Sequence, residues 1–270
     1  EGAIKKAVSP PAAPAGAAAP VQQVGKVIAV LGTRGGVGST TISINLAAVI
    51  AETAKKQVAL VDIDPMEGSI ALHLDFEPSK GFREALEKPD RVDSLFIERV
   101  MTRVNKYFSI LSSEESMLDK MVIDDKAAET LVKQLRETYD VVVLDIPRHL
   151  RTFSRKCLMA ADHIVLVAEP TLLSLRDTLR LSDYIRETFK VKPPIVFVNR
   201  TGHSKYDMKV SDFEKGINAK VAYAIPFLPD TFMQVSNEIA AIKHKSMPQL
   251  KPLYQLAEYF VPEAKQSSAQ

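Results

Sequence analysis

One cysteine, no tryptophan and almost no net charge leave several protein classes out of reach. Cys157 is the only cysteine in 270 residues, so an intrachain disulfide and a cysteine metal cluster are both excluded. The formal net charge is +2, which gives no bulk attraction to nucleic acid. No apolar run approaches the roughly 18 residues that a membrane helix needs. His73, His163, His203 and His244 show no metal spacing with one another, and His149 sits beside arginines. Residues 1–25 carry Pro10, Pro11, Pro14 and Pro20 and lack a continuous apolar core, so they do not read as a signal peptide. A cytoplasmic setting fits these shortages.

The remaining composition is ordinary for a globular protein: 46% hydrophobic and 25% charged residues. The length suits one large α/β domain or two small ones. Residues 7–25 are mostly Ala, Pro, Gly, Val and Gln. Such a stretch buries too little surface to offset its ordering entropy, so 1–25 reads as a linker. From Lys26 onward, apolar β-rich runs alternate with longer helical stretches. The runs are Val27–Leu31, Val58–Val61, Phe108–Leu111, Val141–Leu144, His163–Val167, Ile195–Val198 and Lys220–Ile225. Several are continuously apolar, as strands covered on both faces must be. Helices are expected over 40–55, 125–138, 174–189, 234–244 and about 250–260. The alternation predicts a mostly parallel twisted sheet with helices on both faces. The domain is expected over 26–263, with a tail at 264–270.

The run Val27–Leu31 leads into Gly32-Thr33-Arg34-Gly35-Gly36-Val37-Gly38-Ser39-Thr40-Thr41 and then a helical segment. Glycines let backbone N–H groups turn toward one point, and the following helix adds the positive end of its dipole. This is a phosphate loop by context as well as composition. Thr40 is placed to offer a hydroxyl to Mg²⁺, with Thr41 beside it. Ser39 stands where such loops carry lysine. Losing that charge-assisted bond, of roughly 1.5–3 kcal/mol, weakens phosphate binding about 10- to 100-fold unless another group compensates. Arg34 is one candidate to offset it.

Two apolar runs end in acids. Val58-Ala-Leu-Val-Asp62-Ile-Asp64-Pro65 puts two carboxylates on one face of an extended chain. Asp64 is the candidate for orienting an attacking water, and Asp62 for supporting the Mg²⁺ shell or the loop. Alternatively, both acids simply begin a turn before Pro65. Val141-Val-Val-Leu-Asp145-Ile-Pro147 has the form of a strand whose aspartate holds Mg²⁺ through water. All these elements are expected at the sheet edge where open α/β sheets bind ligands.

These residues resemble the MinD/ParA superfamily of deviant Walker ATPases, whose loop reads Lys-Gly-Gly-x-Gly-Lys-Thr-Thr. Arg34 occupies the position of the first, signature lysine and Ser39 that of the second. Asn199-Arg200 looks like the family's adenine-binding element. Pro226, Leu228, Pro229 and Asp230 resemble the segment closing over the base. Gly68–Pro78, Asp145–Arg148 and Leu175-Arg176-Asp177 through Arg180 are similar to the TadZ/CpaE branch, which serves assembly of Tad (Flp, type IVc) pili. The resemblance covers about residues 26–260 and implies a P-loop NTPase fold. It also implies ATP and Mg²⁺ as cofactors, with Gly35 to Thr41 cradling the phosphates. A homodimer would close over the nucleotide, Arg34 would reach across it, and turnover would be slow. In that branch a receiver-like domain often precedes the ATPase domain, and 1–25 would be the linker. Partners would be pilus assembly or polar localisation proteins, met at a cell pole or the inner face of the membrane.

Several features stay open on sequence alone. Arg148, Arg151, Arg155 and Lys156 lie where the family has its second switch. They can serve a partner, DNA, the second subunit or only solvent. Cys157, among Leu158, Met159 and Ala160, reads as a small buried residue. The segment 88–103 reads as a charged helical cover or a partner surface. Beside the pilus-localisation switch stand two other readings. One is a DNA-partition or division-site positioning ATPase, which needs a basic surface or membrane helix that is not evident. The other is a nucleotide-independent scaffold, for which Ser39 is the best support.

Overall fold

The computed structural model describes residues 24–116, 118, 120–189, 193–232 and 238–262. The linker expected over 1–25, apart from its last two residues, and the tail expected over 264–270 lie outside them.

Eight strands form one sheet. They are β1 (Lys26–Gly32), β2 (Val58–Asp62), β3 (Thr102–Arg103), β4 (Phe108–Leu111), β5 (Val141–Ile146), β6 (His163–Ala168), β7 (Ile195–Thr201) and β8 (Val221–Pro226). Their order is β3-β4-β2-β5-β1-β6-β7-β8. Every pairing is parallel except β3 with β4. The strand expected over 58–61 extends to Asp62, and β5 runs on to Ile146. Strand β3 escapes sequence reading because two residues carry no period.

Alternation along β1 explains the layers. Val27, Ala29 and Leu31 face one core with α3 (Phe82–Glu87), α4 (Ser94–Val100), α5 (Ala127–Thr138) and α6 (Thr152–Met159). Ile28 and Val30 face the other, with α1 (Ser39–Ala54) and α11 (Lys251–Phe260). Helix α7 (Leu172–Phe189) gives Leu181 and Ile185 to the first core. Its Leu175 packs in a smaller cluster with α8 (Val210–Ile217) and β7. Helices thus cover both faces, which is why the strands are apolar without interruption. Phe260 is fully buried at the end of α11. Phe260→Ala is expected to cost about 3–5 kcal/mol in urea unfolding; a cost below about 1 kcal/mol would mean that α11 is not part of the core.

Two sequence expectations change. Of the helix expected over 234–244, the described part is one turn, α10 (Ala240–Lys243); residues 233–237 lie outside the description. The segment 88–103 is not one charged helix. It holds a short 3-10 turn (Pro89–Arg91), α4 and β3. Asp93 starts α4 by accepting a hydrogen bond from the Phe96 N–H at 2.7 Å. Val92, Phe96, Ile97 and Val100 are buried in the core, so the segment is a packed cover with a polar outer side.

Candidate functional site

Strand β1 sits between β5 and β6, and its C-terminal end delivers the glycine-rich loop. Gly36 and Gly38 have φ of +80° and +87°, which L side chains rarely adopt. A Cβ on Gly38 would lie 2.5 Å from Asn199 Nδ2, whereas one on Gly35 or Gly36 would meet nothing within 4 Å. The loop is therefore packed below and open above. Gly38 is the N-cap of α1. No side chain caps that helix and its first turn holds no acid. Sixteen residues of aligned dipole thus end on N–H groups at the mouth of the loop, where an anion is favoured.

Thr40, on the first turn of α1, donates its hydroxyl to Asp145 Oδ2 at 2.6 Å. Ser43, one turn on, donates to Asp145 Oδ1 at 2.8 Å. Asp145 is nearly inaccessible and lies beside Asp62 in the strand register. Burial pushes its carboxyl above the usual range, and the Thr40 and Ser43 hydroxyls pull it partly back. Asp62 is also raised, by burial first and by the Asp145 charge second. Two buried carboxylates side by side without a compensating cation disfavour ionisation. Among the described residues no group of three His, Cys, Asp or Glu side chains could hold a metal. Thr40 and Asp145 offer hard oxygen donors of the kind that Mg²⁺ takes.

The two acids after β2 separate. Asp62 Oδ2 accepts the Ile70 N–H at 3.2 Å and lies 3.5 Å from the Ser112 hydroxyl. A Cβ on Gly68 would come within 2.6 Å of the same oxygen. Asp62 therefore anchors the 64–70 loop. Asp64 Oδ1 accepts the Met66 and Glu67 N–H groups, each at 3.1 Å, an Asx turn. That is the turn role weighed for these acids. Asp64 Oδ2 makes no hydrogen bond among the described residues.

Arg34 turns away from the loop interior. Its Nη1 donates to Asp177 Oδ2 at 2.7 Å, and Asp177 is held from the other side by Arg176 Nε at 3.0 Å. Burial pushes the Asp177 carboxyl up, but Arg176 and then Arg34 outweigh it and hold it below the usual range. In this arrangement Arg34 does not offset Ser39 over its own loop. Ser39 contributes a hydroxyl that would lie 3.0 Å from a Cβ on Gly32.

Asn199, at the end of β7, is buried and donates Nδ2 to the Val37 carbonyl at 2.8 Å. Its Oδ1 accepts the Arg200 N–H. It thus clamps the loop from below. Arg200, at φ +60°, pairs with Glu169 at 3.0 Å. Pro226 closes β8 opposite Thr201. Leu228 packs on the core, and Pro229 with Asp230 opens α9 (Pro229–Phe232). Thr41 lines a cavity of about 30 Å³ with Thr231 and Phe232 of α9.

The basic cluster is not one surface. Arg148 Nε donates to the Thr33 carbonyl at 2.8 Å, Lys156 reaches Asp125, and Arg151 and Arg155 point to solvent. Sequence reading missed Ser43 and the Thr33–Ser174 hydroxyl pair at 2.9 Å, and it gave Asp177 no contact with Arg34. The only available signal was Ser43's position one turn from Thr40. Cys157 is buried, and burial pushes its thiol up to about 12, so it is inert.

Residues 25–195 match the AAA_31 family model, described as an AAA domain. The chain belongs to this family. It is 26% identical over 189 residues to the septum site-determining protein MinD of Bacillus subtilis, covering 66% of this chain and 65% of that protein. It is 24% identical over 162 residues to a virulence plasmid ParA family protein of Chlamydia psittaci, covering 59% and 62%. The chain thus spans just under two thirds of the length of these relatives. A ParA family ATPase from Chlorobium tepidum has the same fold, at a TM-score of 0.77 and 20% identity over 87% of this chain and 98% of that one. MinD of Pyrococcus horikoshii, solved with Mg-ADP, superposes at 0.73 with 20% identity, covering 88% and 96%. These similarities support placing the AAA domain in the MinD/ParA superfamily of P-loop proteins.

Among the described residues no helix is long and apolar enough to cross a membrane.

Proposed function

We propose that the chain is an ATP-binding dimerisation switch that positions Tad (Flp, type IVc) pilus assembly machinery, in the cytoplasm and at a pole or the inner face of the membrane. One observation carries the nucleotide part: the uncapped start of α1 holds Thr40, whose hydroxyl donates to the buried Asp145. Backbone from Gly35 to Thr41 would cradle the phosphates. Thr40, and Asp145 through water, would hold Mg²⁺, which neutralises phosphate charge when bound. Asp62 would keep the 64–70 loop in register with Asp145, and Asp64 Oδ2 is the free carboxylate oxygen to orient a water. Asn199, Arg200 and the Pro226, Leu228, Pro229 and Asp230 segment would border the base. The domain would span 26–263, with 1–25 as a linker from a preceding receiver-like domain. The pilus assignment rests on the likeness of Gly68–Pro78, Asp145–Arg148 and Leu175–Arg180 to the TadZ/CpaE branch.

In the homodimer Arg34 would leave Asp177 and reach the partner's phosphates. Arg34→Ala is expected to hold the protein at monomer mass in light scattering with Mg·ATP, while the parent chain shifts to dimer mass. An unchanged dimer would remove Arg34 from the interface. The pilus part is tested in cells by fluorescence imaging of pilus machinery in a strain carrying Asp145→Asn. Dispersed foci are expected; intact polar foci with no nucleotide binding would favour a scaffold.

A division-site or DNA-partition role is the second reading, favoured by the resemblance to MinD and ParA proteins. Salt-dependent binding to non-specific duplex DNA would support it.

A further inference from the structure

Ser39 leaves the loop without the cation that such loops place on the outer phosphates. Arg34 is paired with Asp177, Arg176 with the same carboxylate, and Arg200 with Glu169. Each of these guanidiniums is already paired with a carboxylate. Arg148 is not. It stands three residues beyond Asp145, on the segment leaving β5, and its Nε donates to the Thr33 carbonyl at 2.8 Å. Thr33 is buried, continues the β1–β6 pairing through its N–H, and directly precedes the Arg34-Gly35-Gly36 arch. The terminal nitrogens of Arg148 form no hydrogen bond or ion pair among the described residues. Arg148 lines a cavity of about 410 Å³ with His149, Asp177 and Arg180. Arg180 has no hydrogen bond to the loop among the described residues.

We propose that Arg148 supplies the terminal phosphate of the bound nucleotide with the positive charge that Ser39 lacks. This rests on the nucleotide-binding reading above. A guanidinium is planar, so fixing Nε on a carbonyl sets the plane in which both terminal nitrogens lie. Such a fork suits two phosphate oxygens. Because Arg148 and Asp145 share one short segment, a phosphate held by Arg148 pulls on the segment that carries the Mg²⁺ candidate. The site then distinguishes ATP from ADP through Arg148, whereas the loop backbone serves phosphates common to both.

The test is calorimetric titration of the parent chain, Arg148→Ala and Arg148→Lys with ADP and with a non-hydrolysable ATP analogue, in Mg²⁺. Arg148→Ala is expected to weaken the ATP analogue about 10- to 100-fold and ADP by less than about threefold. Arg148→Lys keeps the charge without the Nε contact and is expected to retain part of the preference. Adding Ser39→Lys to Arg148→Ala is expected to restore binding of the ATP analogue. If Arg148 only shaped the loop, both nucleotides would weaken together; an unchanged ratio between them overturns the proposal while leaving nucleotide binding intact. A parent chain that binds neither nucleotide overturns both.

Discussion

Asp145→Asn is expected to weaken Mg²⁺-dependent nucleotide binding about 10- to 100-fold and, at the same time, to make the metal-free protein more stable at neutral pH. The first effect follows from losing the carboxylate that the Thr40 hydroxyl touches. The second follows from the burial of that carboxylate. In the folded chain the carboxyl of Asp145 is raised to about 6 and that of Asp62 to about 7; an unfolded aspartate sits near ~3.9. A raised carboxyl favours the folded state fully below the unfolded value. That contribution is lost as pH rises through the folded values. The metal-free parent chain should therefore lose stability between about pH 4 and pH 7. Asparagine has no proton to lose and still accepts one hydroxyl hydrogen bond. Urea unfolding at pH 7.5 should show a gain of about 1–3 kcal/mol for Asp145→Asn, shrinking toward zero at pH 4.5. A loss at pH 7.5 would mean that the Thr40 and Ser43 bonds outweigh the desolvation.

Mg²⁺ held by Asp145 would act on the same titration. It requires the ionised carboxylate, so its binding should release protons below about pH 7 and tighten as pH rises.

The second large effect belongs to Gly38. Gly38→Val places a β-branched side chain at φ +87° and a Cβ 2.5 Å from Asn199 Nδ2. The left-handed backbone alone costs a non-glycine residue about 1–2 kcal/mol. Moving Asn199 also breaks its bond to the buried Val37 carbonyl, which costs about 1–3 kcal/mol. A total loss of about 2–5 kcal/mol in urea unfolding is expected, with nucleotide binding falling below detection. Gly35→Ala is the matched comparison. A Cβ there meets nothing within 4 Å, so its stability should change by less than about 1 kcal/mol. Equal losses at the two glycines would contradict this view of the loop.

Local order along the chain made most of the fold legible. A parallel strand buried on both faces must be apolar throughout, and Val27–Leu31, Val58–Val61, Val141–Leu144 and Ile164–Val167 are. The loop was legible because strand, glycines and helix start are consecutive. Asp145 was legible because an acid at the end of an apolar run has few structural uses. Contacts between distant segments were not. Arg34 with Asp177, Arg148 with Thr33 and Asn199 with Val37 join residues 143, 115 and 162 positions apart. Each depends on how the crossover helices bring neighbouring strand ends together, and no spacing in the sequence encodes that distance. The same cause hid how the basic residues 148–156 divide. Those residues turn a corner between β5 and α6, so neighbours in sequence face the loop, Asp125 and solvent in turn.

The decisive measurement is calorimetric titration of the chain with ATP, with and without Mg²⁺, in samples whose mass is followed by light scattering. Mg²⁺-dependent binding accompanied by a shift to dimer mass is expected, with ADP leaving a monomer. No heat of binding at millimolar Mg·ATP and no change in mass would contradict the switch and leave the loop as architecture alone.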